Sequence, residues 1–177
     1  PDLLINLSAS PWHLNKEEQR KDLLRKVVEK VQCPVSYVNA VGGNDELIFD
    51  GHSMSFDRNG DLITQSSSFQ ECIEVHDLGD SPISENQEVE RMESLRKALV
   101  LGIRDYAGKS GFSKGLVGLS GGIDSAVTAA LAVEALGPGQ VIGISLPSSI
   151  SSGHSKEDAR DLADNLGIEF HTLPIQP

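Results

Sequence analysis

The residues best suited to chemistry lie in one short run, residues 118–125 with the sequence GLSGGIDS, between an apolar segment and an Ala/Leu-rich one. This order predicts a strand, a tight glycine turn and a helix. Paired glycines let main-chain N–H groups approach an anion, and the positive end of the helix dipole adds to the attraction. The hydroxyls of Ser120 and Ser125 can donate to phosphate oxygens, and Asp124 can hold a divalent cation against them. The run therefore predicts a pyrophosphate-binding loop, with a plain strand-to-helix turn as the alternative.

Two familiar phosphate-binding patterns do not fit this run. No Gly-Lys-Ser/Thr sequence closes it, as the P-loop of kinases and GTPases requires. The G-x-G-x-x-G spacing of dinucleotide-binding loops is also missing. Neither pattern therefore explains residues 118–125.

Length, charge and cysteine content narrow the class of protein. The chain has 177 residues, a net charge of −11 and two cysteines, which suits one domain or parts of two. An acidic surface repels a phosphate backbone, so we expect no nucleic-acid partner. Cys33 and Cys72 show no metal-ligand spacing and no disulfide framework, which favours a reduced, cytoplasmic setting. No apolar run reaches the ~18 residues of a bilayer span, so we expect no membrane association.

The first part of the chain, to about Phe69, predicts strands around one long helix. Apolar residues at helical spacing mark the helix, and Pro34 ends it before a strand at 35–41. The helix is marked by Leu23, Leu24, Val27, Val28 and Val31. Further strands are expected at 3–7, 46–50, 53–56 and 62–65. The sequence at 57–61 predicts a hairpin turn with positive φ at both Asn59 and Gly60. This half is expected to be a layered α/β piece with antiparallel hairpins.

The second part begins after residues 74–86, which are poor in large apolar residues and predict a linker in which Ser84 caps the next helix. That helix should bury one apolar stripe, consisting of Met92, Leu95, Leu99, Ile103 and Tyr106. Strands at 116–119, 140–146 and 169–174 then alternate with a helix at 125–136 and another capped by Ser155 and Asp158. This alternation predicts a parallel sheet with ligands beyond the carboxyl ends of its strands.

The loop and its neighbours resemble a known family. Residues 118–125 resemble the Ser-Gly-Gly-x-Asp-Ser loop of the N-type ATP pyrophosphatases, which cleave ATP between its α and β phosphates. Residues 98–112 and 147–159 add a resemblance to one family of that group, the NAD synthetases. Residues 6–11 and 38–51 resemble the later part of the nitrilase-like glutaminase domain that precedes the synthetase in glutamine-dependent NAD synthetases.

The resemblance implies the fold class and the domains. We expect an α/β chain in which the C-terminal part of a nitrilase-like α-β-β-α layered domain, residues 1–73, is joined to the first part of a parallel-sheet Rossmann-like ATP pyrophosphatase domain, residues 87–177. It also implies that the amidase Glu, Lys and Cys precede Leu3 and that the rest of the synthetase follows Pro177. The 177-residue chain alone is therefore expected to be inactive.

The resemblance also assigns residues to the nucleotide site. The candidate ATP-binding residues are Gly118, Leu119, Ser120, Gly121, Gly122, Ile123, Asp124, Ser125 and Leu146. Asp124 is the candidate magnesium ligand, with a carboxylate that only offsets the helix dipole as the alternative. Leu146 is expected to hold adenine through its main chain, or else to be an ordinary strand-end residue. Ser149 and Ile150 stand where many relatives carry a basic or aromatic pair.

A second pair of residues, Ser10 and Lys16, matches positions where the family binds glutamine. A hydroxyl and a cation at a helix start suit an α-carboxylate; a capping Ser and a solvated Lys are the alternative. We interpret Cys33 and Cys72 as buried structural thiols rather than nucleophiles. The histidines show no ligand spacing, so no zinc site is expected; they are His13, His52, His76, His154 and His171.

The resulting hypothesis is a carbon–nitrogen ligase of NAD biosynthesis. The resemblance implies glutamine as amido donor, ATP and Mg²⁺ as cofactors and deamido-NAD as the substrate that is adenylated and amidated. It also implies a homo-oligomer in the full-length enzyme. One alternative is another ATP pyrophosphatase amidotransferase, GMP-synthetase-like or asparagine-synthetase-like. A non-catalytic assembly fragment is the other.

Overall fold

A computed structural model of the chain describes residues 1–79, 81–83, 91–148 and 153–175. Its contacts divide the chain into two compact units, Pro1–Gly102 and Ile103–Pro177. The division falls inside a helix that begins at Arg91, and the linker predicted at 74–86 lies partly outside the described residues. Among the described residues, no helix combines the length and the apolar character that crossing a bilayer demands.

The first unit is built on a four-stranded sheet covered by one helix. The strands are β1 (Leu4–Ser8), β2 (Val35–Asn39), β5 (Met54–Phe56) and β6 (Leu62–Gln65), in the order β1-β2-β5-β6. Helix α1 (Lys16–Val31) packs most of its predicted apolar face on this sheet, with Leu24 and Val28 against Tyr37 and Phe56. The prediction is wrong for Leu23, whose side chain is 61% exposed. The helix ends at Gln32, a non-glycine residue in the left-handed conformation with φ of 56°, just before Pro34.

Two hairpins complete the first unit, and both differ from the sequence prediction in detail. The strand predicted at 35–41 is divided, because β2 ends at Asn39 and Val41 begins β3 (Val41–Asn44), which pairs with β4 (Leu47–Asp50). In the turn between β5 and β6 only Gly60 has positive φ, so the predicted positive φ at Asn59 is wrong. The reason is Asp57, whose Oδ1 accepts the Asn59 N–H at 2.8 Å and holds that residue in an ordinary conformation.

A buried histidine gives the first unit a pH-dependent stability. Burial lowers the pKa of His52, although the carboxylates of Glu17 and Asp50 oppose this effect. The unfolded chain therefore takes up this proton at a higher pH than the folded chain, and stability is lost as pH falls below about 6.5.

We expect the urea midpoint of the first unit to fall between pH 7.5 and pH 5.5, followed by the fluorescence of the single tryptophan, Trp12. His52→Asn should flatten this dependence, whereas the exposed His13→Asn should leave it unchanged. An equal pH dependence in both variants would contradict the role of His52.

Helix α2 (Arg91–Lys109) buries a different face from the one predicted. Met92, Leu99 and Tyr106 are exposed, whereas Ala98 and Leu101 pack with Phe69. A Cβ placed on Gly102 would lie 2.8 Å from Ile48 Cδ1, so the helix approaches its neighbours through small residues. The prediction is wrong because it assigned the large apolar residues to the buried face. The helix packs closely on its neighbours, so the buried face is instead the one that carries small residues. The predicted cap at Ser84 lies outside the described residues.

The second unit confirms the predicted parallel sheet. Strands β7 (Gly115–Gly118), β8 (Val141–Ser145) and β9 (Glu169–Thr172) pair in parallel in that order. Helices α3 (Ile123–Leu136) and α4 (Gly153–Leu166) connect them, with a short 3-10 turn at Pro138–Gln140. The core includes Leu119, Ala129, Val141, Ala159, Ala163 and Ile168.

Three predictions for single residues have different outcomes. Ser155 is the third residue of α4, so it is not the cap that was predicted. Cys33 is fully buried and free, as expected for a structural thiol. Cys72 is exposed, so the prediction that it is buried is wrong, because the segment after Phe69 contributes little to the core.

Candidate functional site

The small-residue loop lies where a parallel sheet offers a binding edge. β7 ends at Gly118, and α3 begins at Ile123 with Gly122 as its N-cap in an extended conformation. Gly121 has φ of +78°, a conformation that disfavours any side chain. The predicted order of strand, glycine turn and helix is confirmed, with the helix starting two residues earlier than the sequence indicated.

Two hydroxyls occupy the inside of this loop. Ser125 Oγ accepts the Ser120 N–H at 3.2 Å and lies 3.1 Å from Ser120 Oγ, which in turn accepts the Gly122 N–H at 3.2 Å. Ser125 Oγ also donates to Gly122 O at 2.9 Å. The two hydroxyls thus stand where oxygen atoms of an anion would meet the same N–H groups.

A cavity of about 300 Å³ opens at the carboxyl ends of β7 and β8. It is lined by Gly118, Leu119, Ser120, Ile144, Ser145, Leu146, Pro147, Ser155 and Lys156. Candidate residues from the 118–125 loop and Leu146 therefore lie at the same edge of the sheet, where parallel strands bring their carboxyl ends together. Gly121, Gly122, Ile123, Asp124 and Ser125 continue from this wall into the first turn of α3.

The two leucines of the candidate set differ in exposure. The Leu119 side chain is buried in the core, and its N–H donates to Ile144 O at 2.8 Å. Only its main chain is therefore available to a ligand. Leu146 directly follows β8 and is half exposed, so it presents both main chain and side chain to the cavity.

Asp124 stands in the first turn of α3 with an exposed carboxylate. In the part of the chain that the structure describes, no hydrogen bond or ion pair engages this carboxylate, and no group of three or more His, Cys, Asp or Glu side chains could hold a metal ion. An ion held by Asp124 would therefore take its other ligands from phosphate oxygens and water.

The sequence did not reveal how α4 takes part in this site. Ser155 and Lys156, in the first turn of α4, line the cavity, and a Cβ on Gly121 would lie 2.4 Å from Ser155 O. The glycine at position 121 thus permits main-chain packing between the loop and α4. His154 is exposed on the same turn, and the departure noted at Ser149 and Ile150 lies outside the described residues.

A second cavity, in the first unit, brings together the other predicted pair. Ser10 and Lys16 both line a space of about 490 Å³ beside β1 and the start of α1. The remaining lining residues are Asn6, Ser8, Gln19, Arg20, Asp22, Leu23, Leu24, Lys26 and Tyr37. Lys16 is the first residue of α1, as the sequence indicated, at the helix end whose first N–H groups have no intrahelical partner.

The lysines near the start of α1 differ in whether a carboxylate pairs with them. Lys21 Nζ lies 2.8 Å from Glu17 Oε1 and 3.5 Å from Glu18 Oε1. Burial works to lower the pKa of Lys21, but the hydrogen bonds and charges of Glu17 and Glu18 together raise it. In the described part of the chain Lys16 has no such carboxylate partner. Its charge is therefore available to a carboxylate that enters the cavity.

Comparison with known proteins finds similar sequences for both units. The NAD synthase family model matches residues 95–177. A glutamine-dependent NAD(+) synthetase of Synechocystis is 46% identical over 99% of this chain and 33% of its own length. Another from Aquifex aeolicus is 39% identical over 99% of this chain and 37% of its own length. The chain thus spans about a third of the relatives it matches.

Solved structures agree with these sequence matches. A glutamine-dependent NAD⁺ synthetase of Acinetobacter baumannii, determined with ADP, superposes with a TM-score of 0.90 and 34% identity over 99% of this chain and 34% of that one. A homologue from Cytophaga hutchinsonii, at 22% identity over 99% of this chain and 36% of that one, shows the same fold with a TM-score of 0.82. The predicted fold class is therefore confirmed.

Proposed function

Because the chain belongs to the glutamine-dependent NAD(+) synthetase family, we propose that the protein containing it converts deamido-NAD into NAD⁺ with ATP and glutamine. Glutamine is hydrolysed in the first domain, and the ammonia it yields attacks the adenylated nicotinate carboxylate in the second. AMP and pyrophosphate are released. The observation that carries this proposal is the loop of residues 118–125, which lies at the carboxyl edge of a parallel sheet beside an open cavity.

In this proposal the loop binds the phosphates of ATP. Main-chain N–H groups from Gly121 to Ser125 surround the site of the departing pyrophosphate, and the hydroxyls of Ser120 and Ser125 rotate from loop amides to phosphate oxygens. Gly118, Leu119 and Leu146 line the adjoining cavity, with the main chain of Leu146 placed for adenine.

The oxygen-only donor set of the loop suits Mg²⁺. Asp124 supplies a carboxylate without a competing partner among the described residues, and hard oxygen ligands are those Mg²⁺ prefers. A bound ion would neutralise charge on the leaving pyrophosphate. Asp124 would hold the ion beside the positive end of α3, where both attract the same phosphates.

In the first domain, Ser10 and Lys16 form the glutamine site. A Lys16 ammonium without a carboxylate partner in the described residues, at the first residue of α1, suits the α-carboxylate of an amino acid. The Ser10 hydroxyl contributes a second polar contact across the same cavity. We assign residues 1–73 to the glutaminase and 87–177 to the synthetase, and we place the enzyme in the cytoplasm as a homo-oligomer.

Exchange of labelled pyrophosphate into ATP tests the reaction class. In the full-length protein that contains this chain, exchange is expected only when deamido-NAD is present, because an adenylate must form before pyrophosphate can add back. A GMP-synthetase-like enzyme would instead exchange with xanthosine monophosphate. Exchange without any acceptor, or none with deamido-NAD, would contradict the proposed reaction.

A further inference from the structure

A buried polar chain in the first unit runs from α1 to the main chain of Ser10. Arg20 donates two hydrogen bonds to the Asp50 carboxylate, both at 3.0 Å. Asp50 Oδ1 also accepts from Asn39 Nδ2 at 3.2 Å. Asn39 then engages Ser10 twice, because its Oδ1 accepts the Ser10 N–H at 2.8 Å and its Nδ2 donates to Ser10 O at 3.3 Å.

The three side chains of this network are almost completely buried. Arg20 is 4% exposed, Asn39 6% and Asp50 2%, and the adjoining core is apolar. A buried ion pair is no more stabilising than well-packed apolar residues of similar volume. Core stability therefore does not explain the network, and its distinctive result is a fixed position for Ser10.

Ser10 depends on this support because it follows the end of β1. β1 pairs with β2 only as far as Ser8 and Asn39, so no strand ladder holds Ser10. Both main-chain polar groups of Ser10 bond to Asn39 instead. The main chain of Ser10, from which its hydroxyl projects, is consequently held by the amide group of Asn39. That amide group is in turn held by Asp50, whose charge Arg20 balances.

We infer that Asn39 is a positioning residue of the amino-acid site, which holds Ser10 so that its hydroxyl meets the ligand beside Lys16. Asp50 orients the Asn39 amide. This inference rests on the proposed function, in which Ser10 and Lys16 bind glutamine.

Binding of L-glutamine to the ¹⁵N-labelled 177-residue chain, followed by amide shifts, tests the inference. Asn39→Asp keeps an acceptor for the Ser10 N–H but loses the donor to Ser10 O and faces the Asp50 carboxylate. It should weaken binding by about tenfold or more, the effect of misplacing one hydrogen bond to a charged group. In a Ser10→Ala background the effect of Asn39→Asp should disappear, because Asn39 acts on the ligand only through the Ser10 hydroxyl. Asn44→Asp, an exposed amide in β3, should change nothing.

The outcomes distinguish a failure of the positioning role of Asn39 from a failure of the proposed glutamine site. If Lys16→Met weakens glutamine binding while Asn39→Asp does not, the positioning role is wrong and the glutamine site stands. If Asn39→Asp weakens binding equally with and without the Ser10 hydroxyl, the network does not act through Ser10 and the inference is again wrong. If the unmodified chain does not bind glutamine, or Lys16→Met leaves binding unchanged, the proposed glutamine site is wrong. The inference is then wrong as well, because it depends on that site.

Discussion

Asp124→Asn is expected to weaken ATP binding in the presence of Mg²⁺ by about 2 kcal/mol, roughly 30-fold in the dissociation constant, because a bound ion would lose the Asp124 carboxylate. Asp124 is exposed in the first turn of α3, and in the described chain nothing else engages its side chain. The change therefore removes a charge without disturbing a contact that holds the fold. Titration calorimetry of the 177-residue chain with ATP measures the effect.

The same substitution should act in the opposite direction without the metal. In EDTA the Asp124 carboxylate only repels the phosphates, so Asp124→Asn should bind ATP as well as the unmodified chain or better. Asp161→Asn, which removes an exposed carboxylate from α4, is the control variant with the same change in net charge. A similar weakening in Mg²⁺ and in EDTA would show that Asp124 does not act through a metal ion.

Gly121→Ala is expected to destabilise the second unit by about 2–5 kcal/mol, the sum of left-handed strain and steric overlap. The backbone of Gly121 has φ of +78°, and an added Cβ would lie 2.4 Å from Ser155 O and 2.8 Å from Ser155 Cα. Both contacts are with main chain, so no side-chain rotation can relieve them. Either the loop or the start of α4 must move, and Mg-ATP binding should fall with the stability.

Other glycines of the same unit separate the two contributions. Gly167 also has positive φ, but an added Cβ there meets nothing within 4 Å, so Gly167→Ala reports the conformational strain alone. Gly139 has neither constraint, and Gly139→Ala should be nearly neutral. Hydrogen exchange of amides in β7 and β8 measures the stability of this unit. Equal losses for Gly121→Ala and Gly167→Ala would contradict the close packing of the loop on α4.

The loop shows how a small-residue sequence would encode the proposed anion site. Its glycines leave room for main-chain approach, and its hydroxyls satisfy two N–H groups, those of Ser120 and Gly122. A phosphate that replaces these hydroxyls exchanges one set of hydrogen bonds for another. The gain in affinity must then come from charge, which is why the largest expected effect on binding falls on Asp124.

Much of the second unit was predictable because its signals are local. Alternating strands and helices, with glycines at helix ends such as Gly167, predicted the parallel sheet and the edge where the loop lies. In the first unit, the spacing of Leu24 and Val28 predicted the buried face of α1. The pairing of Ser10 and Lys16 came from family resemblance, and the structure places both at one cavity.

Other features depended on neighbours that no local pattern identifies. The conformation of Asn59 follows from the Asp57 side chain, and the buried face of α2 follows from the close approach of Ile48 to Gly102. The exposure of Cys72 follows from the course of the chain after Phe69. In the first two cases a contact outweighed the intrinsic preference of the residue.

The amino-acid sequence by itself determined the elements, the parallel order of β7, β8 and β9 and the loop of small residues, since these depend on periodicity and on the conformational freedom of glycine. Only the tertiary structure decided that Gly121 packs on Ser155 and that Asn39 holds Ser10. These pairs are 34 and 29 residues apart, so each contact exists only once the intervening elements have packed.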